Sequence, residues 1–294
     1  MLPNFMIIGA EKSATSWLAG CLGEHPDVFM VKVKEIYFFN AHFERGLAWY
    51  ESFFDDWSGQ KAIGEATPNY LNHPDAPARI QATLGNIKMI VSLRHPVDRA
   101  YSAFWHYARQ GKIPPKTDFY TFFRESDQFT IRSTGCYNTH LSRYFKRFPC
   151  EILFLLIYEE IFKDSRKAVS DCLEFLGLNP EFEPSLLDTK VNRGARDITV
   201  LNRQAWQLKL KTRRLLLRAM QKNLLPARWR DPLFSTGRRV FEKVAFEWGP
   251  KQKNFERLDP AIRQELLSYY LPDIKQLEDL LGRDLSIWYE SSKP

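Results

Sequence analysis

One stretch decides the fold: residues 5–18 read FMIIGAEKSATSWL. An apolar, β-prone run meets Gly9, a lysine and three hydroxyl residues follow, and a helical pattern then begins. The glycine lets the chain turn tightly off the strand. Backbone N–H groups at a helix N-terminus carry partial positive charge, and Lys12 and the hydroxyls add donors. The pattern predicts strand, anion-binding loop and helix; the alternative is an ordinary turn with polar surface residues.

The spacing of this loop differs from that of proteins that bind nucleoside triphosphates. Their motif ends in Gly-Lys-Ser/Thr, placed after four residues that follow its first glycine. Here Lys12 comes three residues after Gly9, and no glycine directly precedes it. The spacing therefore favours a phosphate-binding loop of another kind.

A second stretch, residues 87–104, reads IKMIVSLRHPVDRAYSAF. Its first seven residues are mostly apolar and include Ile and Val, as in a buried strand. Pro96 suits a first helical turn, so Arg94 falls at the end of the strand and Ser102 within the helix. Ligands of open α/β sheets bind at that edge, and an arginine fork with a hydroxyl suits a dianionic phosphate.

Both stretches resemble motifs of the sulfotransferases that use 3′-phosphoadenosine 5′-phosphosulfate (PAPS). The first resembles their 5′-phosphosulfate loop, Gly-x-x-Lys-x-Gly-Thr-[Ser/Thr]-x-Leu, with Ala14 where glycine is usual and a modest effect on loop shape expected. The second is similar to their 3′-phosphate motif, Arg-x-Pro-x-x-Arg-x-x-Ser, at every fixed position. The resemblance implies that Lys12 also acts in catalysis at the bridging oxygen. It implies a donor site formed by Lys12, Ser13, Ala14, Thr15, Ser16, Trp17, Arg94 and Ser102.

Further matches extend the resemblance over nearly the whole chain, most weakly at about 190–255, and favour the carbohydrate and heparan-sulfate branch. Residues 34–39, KEIYFF, look like a segment whose glutamate is the general base. The resemblance therefore implies Glu35 as the base, with a surface glutamate paired to a lysine as the alternative. Glu65 competes for the role, and His95 and His106 are weaker candidates.

Other residues near the predicted site keep two interpretations. Tyr137 follows Gly135 where members of the family often contact the nucleotide, but a tyrosine there also packs helices. Residues 64–70, GEATPNY, resemble an acceptor-side segment, and Tyr37 stands where some relatives carry a histidine. Four aromatic residues could stack on sugar rings or belong to the core: Tyr37, Phe38, Trp49 and Tyr70.

Alternation of strands and helices predicts an α/β fold. Strands are expected at 5–8, 61–64, 87–93 and 152–157, with helices at 16–23, 97–110 and 163–176. Such alternation is typical of a central parallel sheet flanked by helices, here P-loop-like as in the sulfotransferases. No linker, low-complexity tract or repeat interrupts residues 1–294, so a single domain is predicted.

Charge is concentrated in one segment of the chain. The net charge is +7, yet 14 Lys and Arg against three acids fall between Arg193 and Lys243, so the rest is net acidic. Within the basic segment at about 195–245, residues 201–225 form a basic amphipathic pattern. Such a helix can be merely solvated, or can face an anionic membrane or an acidic acceptor; nucleic acid is not expected.

Composition also restricts location and cofactors. The four cysteines are widely spaced and no Cys/His cluster suggests metal, so a reducing compartment and no metal are expected. No secretory leader and no run of 18 apolar residues is present, which predicts a cytoplasmic protein, with peripheral attachment to the inner membrane surface as an extension.

The resulting hypothesis is a sulfotransferase that moves the sulfuryl group of PAPS, with 3′,5′-ADP as product, to a hydroxyl or amine of a carbohydrate or glycolipid. A nucleotide-dependent small-molecule kinase is one alternative. A non-catalytic protein that binds membranes or polyanions is the other.

Overall fold

The computed structural model describes residues 1–114, 116–187 and 258–289, together with two short strands at 198–199 and 251–252. The chain divides into two compact units. One comprises Met1–Ala103, Asp127–Asn192 and Asp259–Pro294, and the other Phe104–Ser126 and Arg193–Leu258. The predicted basic helix at 201–225 lies outside the described residues. A single domain over 1–294 stays a prediction.

A five-stranded sheet forms the centre of the first unit. Its strands are β1 Phe5–Gly9, β2 Val28–Met30, β3 Ala62–Ala66, β4 Lys88–Leu93 and β5 Leu153–Ile157. Their order is β2-β3-β1-β4-β5, and every neighbouring pair is parallel. Parallel strands end at one common edge, so the loops after β1 and β4 meet there.

Nine helices are described, with short π and 3₁₀ turns between them. Their bounds are α1 Thr15–Gly23, α2 Leu47–Glu51, α3 Ala76–Leu84, α4 Pro96–Arg109, α5 Phe119–Glu125, α6 Tyr137–Phe145, α7 Tyr158–Ile161, α8 Ser165–Leu176 and α9 Pro260–Leu281. The predicted parallel α/β sheet flanked by helices is confirmed, and α4 begins at Pro96 as expected. Strand β2 was not predicted from the sequence.

One face of the sheet is covered by α1 and α8. Both helices bury residues at positions i, i+1, i+4 and i+5, which place four side chains on one side of a helix. Those residues pack with Phe5 and Ile7 of β1 in one apolar cluster. Burying such a side chain stabilises the fold by about 1.5–3 kcal/mol. The cluster therefore fixes where α1, and the loop before it, begin.

A large ring fills the space beside a glycine on the neighbouring strand. Phe5 and Gly64 are register partners of β1 and β3. A Cβ atom at Gly64 would lie 2.7 Å from Phe5 Cε2 and closer still to Cζ. The strand pairing at this point therefore requires a residue without a side chain at 64.

The second unit has its own aromatic packing. The ring of Phe104 lies 5.4 Å from that of Phe119 and 5.3 Å from that of Phe122. Asp118 caps α5, since its carboxylate accepts a 2.8 Å hydrogen bond from Thr121 N. Strands β6, Ile198–Thr199, and β7, Lys251–Gln252, pair antiparallel.

Candidate active site at the sheet edge

The loop between β1 and α1 runs close to neighbouring backbone. Ala10 N donates to Ser92 O at 2.7 Å, which ties the loop to the end of β4. A Cβ at Gly9 would lie 2.5 Å from Leu71 Cβ, so only glycine fits where the chain leaves the strand. Lys12 and Ala14 adopt left-handed backbone conformations, with φ of 70° and 64°. These turns curl the loop in front of α1.

The conformation of Ala14 explains why glycine is usual at this position of the motif. Ala14 is the N-cap residue of α1 and offers no side-chain hydrogen bond to the helix. A left-handed conformation costs a residue with a Cβ about 1–2 kcal/mol relative to glycine. Ala14 adopts this conformation with its methyl group in place, and a modest effect on loop shape stays a prediction.

The loop presents donors that the protein itself does not use. Ser13 is fully buried, and its Oγ has no hydrogen-bond partner. The first N–H groups of a helix likewise have no acceptor within the helix, and here Thr15, Ser16 and Trp17 supply them. The Trp17 indole faces elsewhere, donating to Leu186 O at 3.0 Å. Unpaired buried donors at a helix N-terminus suit an oxyanion such as phosphate or sulfate.

Arg94 joins the second motif to this loop. Its Nη1 donates to Lys12 O at 3.3 Å, and its guanidinium lies 4.4 Å above the ring of Tyr158. Its Nε is buried and has no partner. The two predicted phosphate-binding motifs therefore meet, with donor capacity left over. Ser102 lies half-buried on α4, six residues after the helix begins at Pro96.

Tyr137 lies behind Arg94. It is fully buried, and its hydroxyl donates to Arg94 O at 2.7 Å. Its ring packs 5.8 Å from that of Trp288. This is the packing interpretation of Tyr137; the geometry offers no support for a direct nucleotide contact, which stays a prediction.

Further contacts, which were not predicted from the sequence, fix the start of α4. Glu159 accepts hydrogen bonds from His95 N at 2.9 Å and Trp288 Nε1 at 3.0 Å. Arg263 of α9 donates to both carboxylate oxygens of Asp98, at 3.0 and 3.2 Å. The one signal available was that Tyr158 and Glu159 directly follow β5, at the edge where β4 ends.

Glu35 is close enough to the phosphate loop for the charges of Glu11 and Lys12 to act on it, although it is more than twenty residues away in sequence. Its side chain is 22% exposed, and its Oε1 lies 3.9 Å from Lys34 Nζ. Its Oε2 accepts a hydrogen bond from the hydroxyl of Tyr37. Burial raises the pKa of Glu35, and the charge of Glu11 adds to this, while Lys34 and Lys12 act in the opposite direction. A partly exposed carboxylate with a raised pKa suits a general base.

Glu65, the competing base, has a different environment. Only 1% of it is exposed, and burial raises its pKa to about 7. Its oxygens accept hydrogen bonds from Tyr50 at 2.6 Å, Thr67 at 2.8 Å and Tyr70 at 3.1 Å. These donors surround the carboxylate and close it off from an acceptor.

The weaker candidates for the base are also accounted for. His95 is buried, and its burial lowers its pKa to about 4. His106 belongs to the second unit, where it contacts Gln110 at 2.7 Å. Among the aromatic residues, Phe38 and Tyr70 are buried, whereas Trp49 is half-buried with the guanidinium of Arg45 4.5 Å from its ring centre.

Two absences hold for the part of the chain that the structure describes. No three or more His, Cys, Asp or Glu residues gather there as a metal site would require. None of the helices within those ranges combines the length and apolarity needed to span a bilayer.

Comparison with known proteins assigns the chain to a family. The family described as "Sulfotransferase domain" matches residues 2–202, more than half of the chain. This chain belongs to the sulfotransferase family. The resemblance stated from the two phosphate-binding motifs is thereby confirmed.

Individual sulfotransferases are similar over shorter ranges. The membrane-associated sulfotransferase kil1 of Dictyostelium discoideum is 40% identical over 121 residues, 39% of this chain and 26% of that protein. The human heparan sulfate glucosamine 3-O-sulfotransferase 3B1 is 31% identical over 182 residues, 60% of this chain and 46% of that protein. The chain thus matches less than half the length of these relatives.

A solved bacterial sulfotransferase is similar over the full length. The enzyme from Alicyclobacillus acidocaldarius is 25% identical, with a TM-score of 0.70, and the match covers 99% of this chain and 100% of that one. The similarity therefore extends beyond residues 2–202, which the family model matches.

Proposed function

We propose that this chain transfers the sulfuryl group of PAPS to a hydroxyl or amine of a carbohydrate or glycolipid. The observation that carries the proposal is the meeting of Arg94 with the phosphate loop. There the Arg94 side chain bonds Lys12 O, while Arg94 Nε and Ser13 Oγ are buried without protein partners. Unused buried donors at a helix N-terminus fit a ligand that carries an anionic group at each of two positions.

The donor supplies an activated sulfuryl group whose leaving group is the 5′-phosphate of 3′,5′-ADP. In this proposal Lys12, Ser13 and the amides of Ala14, Thr15, Ser16 and Trp17 bind the 5′ end. Lys12 stabilises charge on the leaving oxygen. Arg94 and Ser102 bind the 3′-phosphate, which ATP lacks. Tyr137 holds Arg94 in place by donating a hydrogen bond to the Arg94 backbone carbonyl.

Glu35 is proposed as the general base. It takes the proton of the acceptor hydroxyl as that oxygen forms its bond to sulfur and the bond from sulfur to the leaving oxygen breaks. Two features support this choice over Glu65: its partial exposure and the charges of the phosphate loop that act on it. Glu65 has its oxygens engaged by hydroxyl groups.

The carbohydrate acceptor is supported by two observations. Several similar proteins are named as heparan sulfate sulfotransferases. The partly exposed Trp49, with Arg45 beside it, provides a ring and a cation on the segment that follows Glu35. Aromatic rings stack on sugars, and a cation suits acidic glycans. Attraction of the basic segment at about 195–245 to anionic membranes is part of the same proposal and rests on sequence alone.

Two measurements test the proposal. In a thermal-shift comparison at equal concentration, 3′,5′-ADP should stabilise the protein more than 5′-AMP or ATP, since ligands that bind the folded state raise its melting temperature. The labelled sulfuryl group of PAPS should be transferred to one acceptor in a panel that includes heparan oligosaccharides, glycolipids and phenols. An equal or larger shift with ATP would favour the kinase instead, and a phenol as the only acceptor would refute the carbohydrate assignment.

A further inference from the structure

A fully buried carboxylate lies behind the segment that carries Glu35. Glu65 stands in β3, where Tyr50 and Tyr70 donate to its Oε1, and Thr67 donates to its Oε2. Tyr70 also reaches Oε2, at 3.4 Å. A buried carboxylate is costly unless its oxygens are hydrogen-bonded, and here hydroxyl groups fill both of them.

The hydroxyl of Tyr70 has two hydrogen-bond partners, Glu65 and the Phe38 amide. The presence of Glu65 determines that the hydroxyl donates to one and accepts from the other. Burial and the charge of Glu65 raise the pKa of Tyr70 well above its ordinary value, so the hydroxyl keeps its proton. That proton is directed to Glu65. A lone pair of the same oxygen is then free to accept from Phe38 N, at 3.0 Å.

The Phe38 amide lies in the segment directly after Glu35, the proposed base. Glu35 and Tyr37 both adopt left-handed conformations, with φ of 61° and 58°. Such conformations cost non-glycine residues of order 1–3 kcal/mol each and persist where surrounding contacts hold them. Phe38 provides that hold through its amide and through its ring, which stacks 4.5 Å from Tyr50 at 11°.

We propose that Glu65, acting through the Tyr70 hydroxyl, is a positioning residue that holds the segment of Glu35 against the phosphate loop. The inference rests on the proposed role of Glu35 as general base. It gives Tyr70 a function inside the protein and Glu65 a function in catalysis without contact to the substrates. It also accounts for an ionisable group at a depth where an apolar residue would cost less.

The chain offers a matched pair of variants for the test. Tyr70→Phe removes the acceptor of the Phe38 amide and one donor to Glu65. Tyr144→Phe removes an equally buried hydroxyl, which donates to the backbone carbonyl of Tyr70 at 2.8 Å. Both variants delete one oxygen from a fully buried tyrosine, and only the first breaks the link to the base segment.

Turnover is measured with PAPS and a heparan oligosaccharide, alongside the dissociation constant for 3′,5′-ADP. Tyr70→Phe should lower kcat by about 10- to 100-fold, the loss typical of a misplaced reacting group. The KM for PAPS and the 3′,5′-ADP affinity should stay within about twofold, because the phosphate loop is untouched. Tyr144→Phe should keep kcat within about threefold. Glu65→Gln, a second arm if Tyr70→Phe folds poorly, should lower kcat in the same direction.

Three results would overturn the inference: normal kcat in Tyr70→Phe, normal kcat in Glu65→Gln, or equal losses in Tyr70→Phe and Tyr144→Phe. A parallel Glu35→Gln variant separates this inference from the function beneath it. If Glu35→Gln turns over normally, the base is misassigned and the proposed function itself is wrong at that point. If Glu35→Gln is inactive while Tyr70→Phe is normal, only the positioning role fails.

Discussion

The buried Glu65 makes a specific prediction about stability and pH. Burial raises its pKa from 4.5 to about 7, so between these values the folded protein holds a proton that the unfolded chain has released. Stability from this group is full below pH 4.5 and is lost as pH rises through about 7. A shift of that size corresponds to about 3 kcal/mol, of which about 2.5 kcal/mol falls between pH 5 and pH 8.

Glu65→Gln removes the titration while keeping the size of the side chain. Urea unfolding of both proteins at pH 5 and pH 8 gives four free energies of unfolding. We expect the wild type to lose about 2–3 kcal/mol relative to Glu65→Gln on going from pH 5 to pH 8. His95 and His140, whose pKa values burial lowers to about 4, contribute an opposite dependence in both proteins and cancel in the difference.

The constant cost or gain of the amide also cancels, because it is the same at both pH values. A wild-type-to-variant difference that does not change with pH would refute the reasoning. It would mean that Glu65 titrates in the folded protein as it does in the unfolded chain, and that its three hydroxyl partners offset its burial completely.

Three further predictions address the loop, the base and the basic segment. Ala14→Gly should raise the free energy of unfolding by about 1 kcal/mol by relieving the left-handed residue, whereas Ala19→Gly inside α1 should lower it by about as much; equal signs in chemical denaturation would contradict this. The acidic limb of the kcat/KM profile, which reports the free enzyme, should lie above pH 4.5, because burial raises the pKa of Glu35, and a limb below that value would exclude Glu35 as the base. Replacing three arginines of the basic segment by glutamine should weaken binding to anionic vesicles in a salt-dependent way, by at most about 1 kcal/mol per residue, without changing turnover of a small neutral acceptor; binding that is unchanged at low salt would leave that segment a merely solvated one. The three residues are Arg213, Arg214 and Arg218.

The phosphate loop and the parallel sheet could be predicted because their signals are local. A buried strand, Gly9 and the start of a helical pattern lie within one stretch of fourteen residues. The strand before Arg94 is likewise followed at once by a helical pattern. Each element can be recognised from the hydrophobic pattern of its own residues. Strand β2 was missed because three residues are too few to show any period.

The rest of the site depends on contacts between distant residues. The Phe38 amide and Tyr70 are 32 positions apart, and nothing near either residue signals the bond. Tyr37 and Glu35 adopt left-handed conformations without a glycine or asparagine to indicate them. Whether Tyr137 faces a ligand or the interior was equally undecidable, since a tyrosine after a tight turn serves both uses. The packed structure shows that the Tyr137 hydroxyl donates to Arg94 O, and a direct nucleotide contact stays a prediction.

The contact between Phe5 and Gly64 has a consequence for how such chains can diverge. The Phe5 ring occupies the volume that a side chain at position 64 would need. The two positions therefore cannot both carry a large side chain. A side chain can appear at 64 only in a lineage whose residue 5 has already become small. We therefore expect the sizes at these two positions to vary inversely among related sequences, with the order of substitution fixed: the ring is lost first, and the glycine is replaced afterwards.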